Sequence, residues 1–268
     1  MTVIGSTTGS TTGSATRAVV APSGIHRAAT GRVSYGVPVG ILMLDCNIPF
    51  VPGDVGNATS YDFPVQYLKV PGATTRAVME GGPELGDAFV ESARHLVGQG
   101  VRAITGDCGF MAIYQERVQE AVDVPVFLSS LLQMPLVLRM LHPSRTVAMI
   151  TANDEAVRPV LFESAGIDET MRGRIVVYGA NRKPYFNAVI MEELGELDVA
   201  RMTAEMAELA VEIVDDDPSV AALFLECSDL PPYAHAMNAA TGLPVFDWIS
   251  FVTWVQNAVN PRPYRGSF

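Results

Sequence analysis

Two cysteines, Cys108 and Cys227, carry the chemistry that this sequence offers. Each closes a short apolar run opened by valine and ended by an acid, Val101-Arg-Ala-Ile-Thr-Gly-Asp-Cys108-Gly in one case and Val220-Ala-Ala-Leu-Phe-Leu-Glu-Cys227-Ser in the other. Pro-Val-Phe follows both at one interval, Pro125 lying 17 residues after Cys108 and Pro244 17 residues after Cys227. A lone cysteine equally spaced between strand-like runs marks an internal repeat, so two similar half-domains each offer one thiol from a strand end. A thiolate serves as a general base as well as a nucleophile. Two thiols facing each other across a cleft make a proton-transfer device, one working on each face of a carbon beside a carboxylate. A thiol's pKa falls at a helix N-terminus, where the dipole and unpaired N–H groups favour the anion. Cys108 precedes Gly109 and a helical pattern, and Cys227 precedes Ser228 and the helix start Pro231-Pro232. The adjacent Asp107 and Glu226 would oppose that effect and are expected to point elsewhere.

A carbanion beside a carboxylate needs hydrogen-bond donors. The backbone N–H groups of Gly109 and Ser228, with Ser129, Ser130, Thr151 and Asn153 at strand ends, are the candidates for holding the substrate, and Asp45 joins them from the end of the first strand. Ser129, Ser130, Thr151 and Asn153 also read as helix caps, and Asp45 and Asp54 as turn formers. Cys46 has no counterpart thiol in the second half and reads as a core residue. The only histidine near the cleft is His235, which reads equally as an exposed side chain. No metal-ligating spacing and no phosphate-type glycine loop stands in the sequence, so neither metal nor cofactor is expected.

The chain has 268 residues, 49% of them apolar, and a formal net charge of −11. That length suits two domains, and the repeat favours two. The negative charge argues against nucleic acid or an anionic membrane as partner and tolerates a cationic substrate. No run of 18 residues lacks charge, which argues against a membrane span. Three scattered cysteines make no disulfide framework, and no signal peptide opens the body, so the expected compartment is the cytoplasm.

The elements that must position the thiols alternate. Residues 1–32 begin with a Gly-Ser-Thr tract too poor in apolar surface to fold and are expected to be a disordered tail. The first α/β half, 33–142, starts with a strand over Val37–Leu44, passes a long loop from Asn47 to Gly82, and continues with helix 83–100, strand 101–106, helix 109–122, strand 124–128 and helix 131–141. The second half, 143–247, runs through strand 146–151, helix 154–165, strand 174–178, helices 184–194 and 198–214, strand 220–225 and strand 243–246. A last helix from Trp248 packs back on the body within 248–268. Strands alternating with helices imply parallel sheets flanked by helices, with ligand bound beyond the strands' carboxyl ends and between the pseudosymmetric halves.

The two-cysteine halves, the Thr151-Ala-Asn153 turn and Gly242-Leu-Pro-Val-Phe246 resemble the aspartate/glutamate racemase superfamily, which includes hydantoin racemases and arylmalonate decarboxylases. Gly40-Ile-Leu-Met-Leu-Asp45, Val51-Pro-Gly-Asp54, Ile104-Thr-Gly-Asp-Cys-Gly-Phe-Met111 and Glu226-Cys-Ser-Asp-Leu-Pro-Pro-Tyr233 resemble its algal-type dimethylsulfoniopropionate lyases. The resemblance covers roughly 37–250. It implies a two-domain α/β fold, Cys108 and Cys227 as the catalytic pair, no cofactor, and a homo-oligomer, dimer or tetramer. The implied substrate is a small carboxylate, of which a cationic sulfonium is one form, and the implied reaction is β-elimination to dimethyl sulfide and acrylate. Racemisation of an acidic amino acid or hydantoin shares its first step, and a small-carboxylate-binding protein without turnover is the reading from another class. Those lyases usually carry an aromatic where this chain has Cys46, which leaves Tyr61 or Trp248 to face a sulfonium by cation–π contact.

Overall fold

The computed structural model describes residues 25–264; of the tract expected to be disordered, 1–24 lies outside them. Two four-stranded parallel sheets organise the chain. Strands β1 (Val39–Met43), β2 (Val65–Lys69), β3 (Ala103–Gly106) and β4 (Val126–Phe127) form the first, in the order β2-β1-β3-β4. Strands β5 (Thr146–Thr151), β6 (Ile175–Gly179), β7 (Val220–Leu225) and β8 (Val245–Phe246) form the second, in the matching order β6-β5-β7-β8. The central strands are buried runs because helices cover both faces of a parallel sheet. Along β1 the pleat divides the side chains. Leu42 and Leu44 join the large core beneath the helix Leu85–Gln99, while Val39, Ile41 and Met43 face a second core. That second core is closed by Trp248, Phe251 and Val252 of the helix Trp248–Val259. Its Trp248 indole N–H donates to Thr105 Oγ1 at 3.1 Å, and Thr105 in turn donates to the Phe127 carbonyl at 2.8 Å.

Several expected elements differ in detail. The stretch from Asn47 to Gly82 is not all loop, since it holds β2 and the helix Thr75–Glu80. β2 is a half-buried edge strand of mixed polarity, Val-Gln-Tyr-Leu-Lys, and therefore lacks the apolar run that marks a central strand. The helix expected over 109–122 is a 3-10 segment, Gly109–Tyr114, continued by the helix Gln115–Gln119. The one expected over 154–165 is broken at Arg158, which Pro159 holds extended (φ −116°, ψ 158°). Among the described residues no helix is long and apolar enough to cross a membrane.

Candidate active site

β3 and β7 end in the two cysteine turns, so their matched positions in the two sheets carry both thiols to the seam between the halves. Cys108 (φ −151°, ψ 128°) caps the segment Gly109–Tyr114, and Cys227 leads through Ser228-Asp229-Leu230 into Pro231–Tyr233. The N–H of the residue two further on, Phe110 for Cys108 and Asp229 for Cys227, favours the thiolate of each. The halves are stitched at these turns. Ser130 Oγ donates to the carbonyls of Leu225 and Glu226 at 3.1 and 3.2 Å, and Ser228 Oγ donates to the Asp107 carbonyl.

Both thiols line one narrow chamber of about 20 Å³ together with Asp107, Gly109, Phe110, Glu226, Ser228 and Asp229. That volume holds about one water molecule. Leu44, Ile48, Thr75, Met79, Ala152 and Ile190 complete the wall. Beyond Thr75 and Met79 a wider open cleft of about 680 Å³ includes Arg76, Asn153 and Arg158.

The expectation that Asp107 and Glu226 point away is overturned, because both carboxyls are buried in the seam. Asp107 receives the Leu44 N–H from the end of β1 with both oxygens at 3.1 Å, and Glu226 Oε2 accepts the Thr151 hydroxyl at 2.8 Å. The expected lowering of the thiol pKa values is overturned with it. Burial, then Glu226 and Asp107, push Cys108 well above its ordinary value; burial, then Asp229 and Glu226, do the same to Cys227. One N–H per sulfur is a smaller effect than lost hydration beside carboxyls.

Burial also raises the Asp107 carboxyl to about 8 against the Leu44 N–H, and Glu226 to about 7 against the Thr151 hydroxyl and the Ala152 N–H. The folded chain therefore holds protons on these groups that the unfolded chain releases near 3.8 and 4.5. More protons bound in the native state means that stability falls as pH rises, here between the unfolded values and about 8. Each group contributes a slope of at most about 1.4 kcal/mol per pH unit within its own window. Urea unfolding is expected to give a lower midpoint at about pH 8 than at about pH 5.5, and Glu226→Gln is expected to flatten the difference.

The remaining sequence candidates lie elsewhere. Asp45 is at the surface, paired with Lys69 at 3.0 Å, because β2 places that lysine beside the end of β1. Ser129 Oγ caps the following turn by accepting the Leu131 N–H at 3.1 Å, and Ser130 holds the seam. Thr151 reaches the chamber only through Glu226. Asn153 Oδ1 accepts the Glu155 N–H at 3.1 Å and faces the open cleft. Trp248 is wholly buried in the outer core and Tyr61 donates to the Val55 carbonyl, so neither lines the chamber; Phe110 does. Sequence reasoning passed over Asp229, whose signal was an acid two residues after Cys227, and Asp54, buried in the seam rather than in a solvated turn. Among the described residues no group of three or more His, Cys, Asp or Glu side chains is placed to hold a metal ion.

Glu193 bridges the mouth. It is the only described non-glycine residue with a left-handed backbone (φ 52°), a conformation that costs energy unless its surroundings fix it. Its carboxylate accepts the Asn47 N–H at 3.0 Å and the Thr75 hydroxyl at 3.1 Å, joining the second half to the first. Loss of a bond worth about 1.4 kcal/mol speeds local opening about tenfold, so Glu193→Ala is expected to raise amide exchange at Asn47 and across Thr75–Glu80 by about that factor.

The fold is shared with arylmalonate decarboxylase and with amino-acid and allantoin racemases. Unliganded arylmalonate decarboxylase superposes with a TM-score of 0.53 at 18% identity, covering 86% of this chain and 96% of that one. Allantoin racemase from Pseudomonas fluorescens gives 0.54 at 14% identity over 86% and 100%, and Picrophilus torridus aspartate racemase 0.51 at 13% over 84% and 95%. Sequence narrows the class. The chain is 34% identical over 237 residues to dimethylsulfoniopropionate lyase 7 of Emiliania huxleyi (strain CCMP1516), covering 85% of this chain and 69% of the relative. It is 31% identical over 217 residues to a dimethylsulfoniopropionate lyase of Durusdinium sp. clade D, covering 79% and 71%. The chain belongs to the dimethylsulfoniopropionate lyase family. Of another such relative, lyase 3 of Emiliania huxleyi, it spans 57% at 35% identity. No family model matches the chain.

Proposed function

We propose that this chain is a cofactor-independent lyase that removes the α-proton of dimethylsulfoniopropionate with a thiol of the Cys108–Cys227 pair, releasing dimethyl sulfide and leaving acrylate. The supporting observation is the make-up of the chamber wall. Two thiols and three carboxyls, those of Asp107, Glu226 and Asp229, line it with no Lys, Arg or His. Such a wall offers no cation to a second carboxylate and attracts a sulfonium through its ionised fraction, which disfavours aspartate or glutamate as substrate. The one substrate carboxylate still needs a donor. Glu226 Oε1 is enclosed and without a partner, and its carboxyl is protonated in part near neutral pH. In that form it donates to the carboxylate as negative charge builds on it during deprotonation, and the N–H groups of the cysteine turns add to it. The partner is thus a small zwitterion. Work in the cytoplasm, which rests on the free thiols, and as a homo-oligomer, which rests on the family likeness, belongs to the same proposal.

The test pairs two incubations. With the sulfonium substrate, dimethyl sulfide and acrylate are expected in equal amounts. With L-aspartate, L-glutamate and a hydantoin in deuterated water, no α-exchange is expected. Exchange of the amino acids without release of dimethyl sulfide would replace this reading by the racemase, and neither signal would leave a binding protein.

A further inference from the structure

The two cysteine turns match in the acid that precedes each thiol and differ in charge two residues past it. Two residues past Cys108 stands Phe110, whereas two residues past Cys227 stands Asp229, whose Oδ2 accepts the Cys227 S–H at 3.3 Å. The other oxygen, Oδ1, is enclosed and unpartnered. Asp54 reaches Asp229 from the opposite half and bears on it at hydrogen-bonding range. It arrives on a loop that Gly53 turns (φ 101°) so closely against Pro232 that a Cβ there would stand 2.8 Å from the proline Cα. Asp54 is 3% exposed, and its Oδ1 already accepts the Gly56 N–H at 2.7 Å.

Two ionised carboxyls have no hydrogen to share, so a bond between them requires a proton. A proton on Asp54 supplies it and leaves Asp229 negative toward the sulfur, where a thiol needs an acceptor. The other titratable groups bearing on the pair are Asp107, Cys46, Cys108, Cys227, Tyr61, Tyr67 and Tyr233. None of them carries positive charge, so no counter-ion relieves the repulsion between the two carboxyls and only a proton does.

Resting on the lyase reading above, we infer that Asp54 and Asp229 hold one proton between them and that Asp229 takes the proton of Cys227, which makes Cys227 the base. Asp54 is then a positioning residue acting through Asp229. In the reaction the S–H proton passes to Asp229 and the thiolate takes the α-hydrogen as a proton. The electron pair of the Cα–H bond becomes the second bond of the alkene, and the Cβ–S pair leaves on the sulfur of dimethyl sulfide. The pair of acids, now carrying two protons, returns one to solvent as acrylate departs.

The test uses the full chain, with dimethyl sulfide release as one readout and the infrared band of a protonated carboxylic acid at neutral pH as the other. Asp229→Asn is expected to lower kcat at least a hundredfold. Asp54→Ala is expected to lower kcat at least tenfold, and Asp54→Asn, whose amide N–H still donates to Asp229, to recover most of that loss. Asp54→Asn is also expected to remove one protonated-carboxyl band, which a purely structural role would leave in place. The inference is overturned if Asp229→Asn keeps kcat within threefold of wild type, or if the band survives in Asp54→Asn. A wild-type chain that releases no dimethyl sulfide overturns the lyase reading and the role of Cys227 as base, while the band still decides whether the acids share a proton.

Discussion

Cys108→Ser and Cys227→Ser are each expected to lose more than about a thousandfold in kcat/KM for release of dimethyl sulfide, while both chains stay folded. Sulfur and oxygen differ little in size at these positions, so packing is kept; what changes is the acidity of the group. The thiols are already raised by burial and by the carboxyls around them, and a hydroxyl in the same surroundings has no route to an anion at working pH. The double variant is expected to fall little below the worse single one, because groups that act as a unit do not contribute additively. Gas-phase detection of dimethyl sulfide, with urea unfolding of each variant, checks both halves of the expectation. Full activity in either single variant would remove that thiol from the mechanism.

Gly109→Ala is expected to be the most damaging single-atom addition in the chamber. A Cβ on Gly109 would overlap Glu226 Oε1 and lie 2.7 Å from Glu226 Cγ. Elsewhere the far end of a glutamate swings aside. Here Oε2 is held by Thr151 at 2.8 Å, and the residue is wholly buried. The displacement must then pass to the Cys108 turn itself. Overpacking of this kind costs about 1–3 kcal/mol of stability. A displacement of about 1 Å at reacting groups costs about a hundredfold in rate. The expected result is a folded chain with at least that loss of kcat, and Glu226→Gln in the same background is not expected to restore it, because the side chain has the same length.

What the sequence made legible follows from its repeat. The Val-to-Cys runs are buried central strands with their turns, the Pro-Val-Phe segments are the short edge strands beside them, and their equal spacing became the equal strand order of two sheets. β2 escaped because an edge strand needs no apolar run, and the helix Thr75–Glu80 because one turn and a half carries little periodicity. The acids were misjudged for a different reason. Alternation along a strand tells which residues share a face but not that two half-domains will meet over it, so Asp107 and Glu226, which look like solvated strand ends, lie in the seam. Asp45 and Asp54 show the same limit from both sides, the first drawn to the surface by Lys69 and the second enclosed against Asp229. Ser129, Ser130 and Thr151, expected to hold the substrate, act as braces for the turns, each bonded to backbone or to Glu226.

The helix Trp248–Val259 belongs to the second half in chain order but roofs the first sheet, where Trp248 fills the space over Ile41 and Ala103. During synthesis the first half leaves the ribosome with that apolar face bare, and its missing cover is made more than a hundred residues later. The two halves are thereby committed to mature together, and neither is a self-sufficient module to be expressed or exchanged alone.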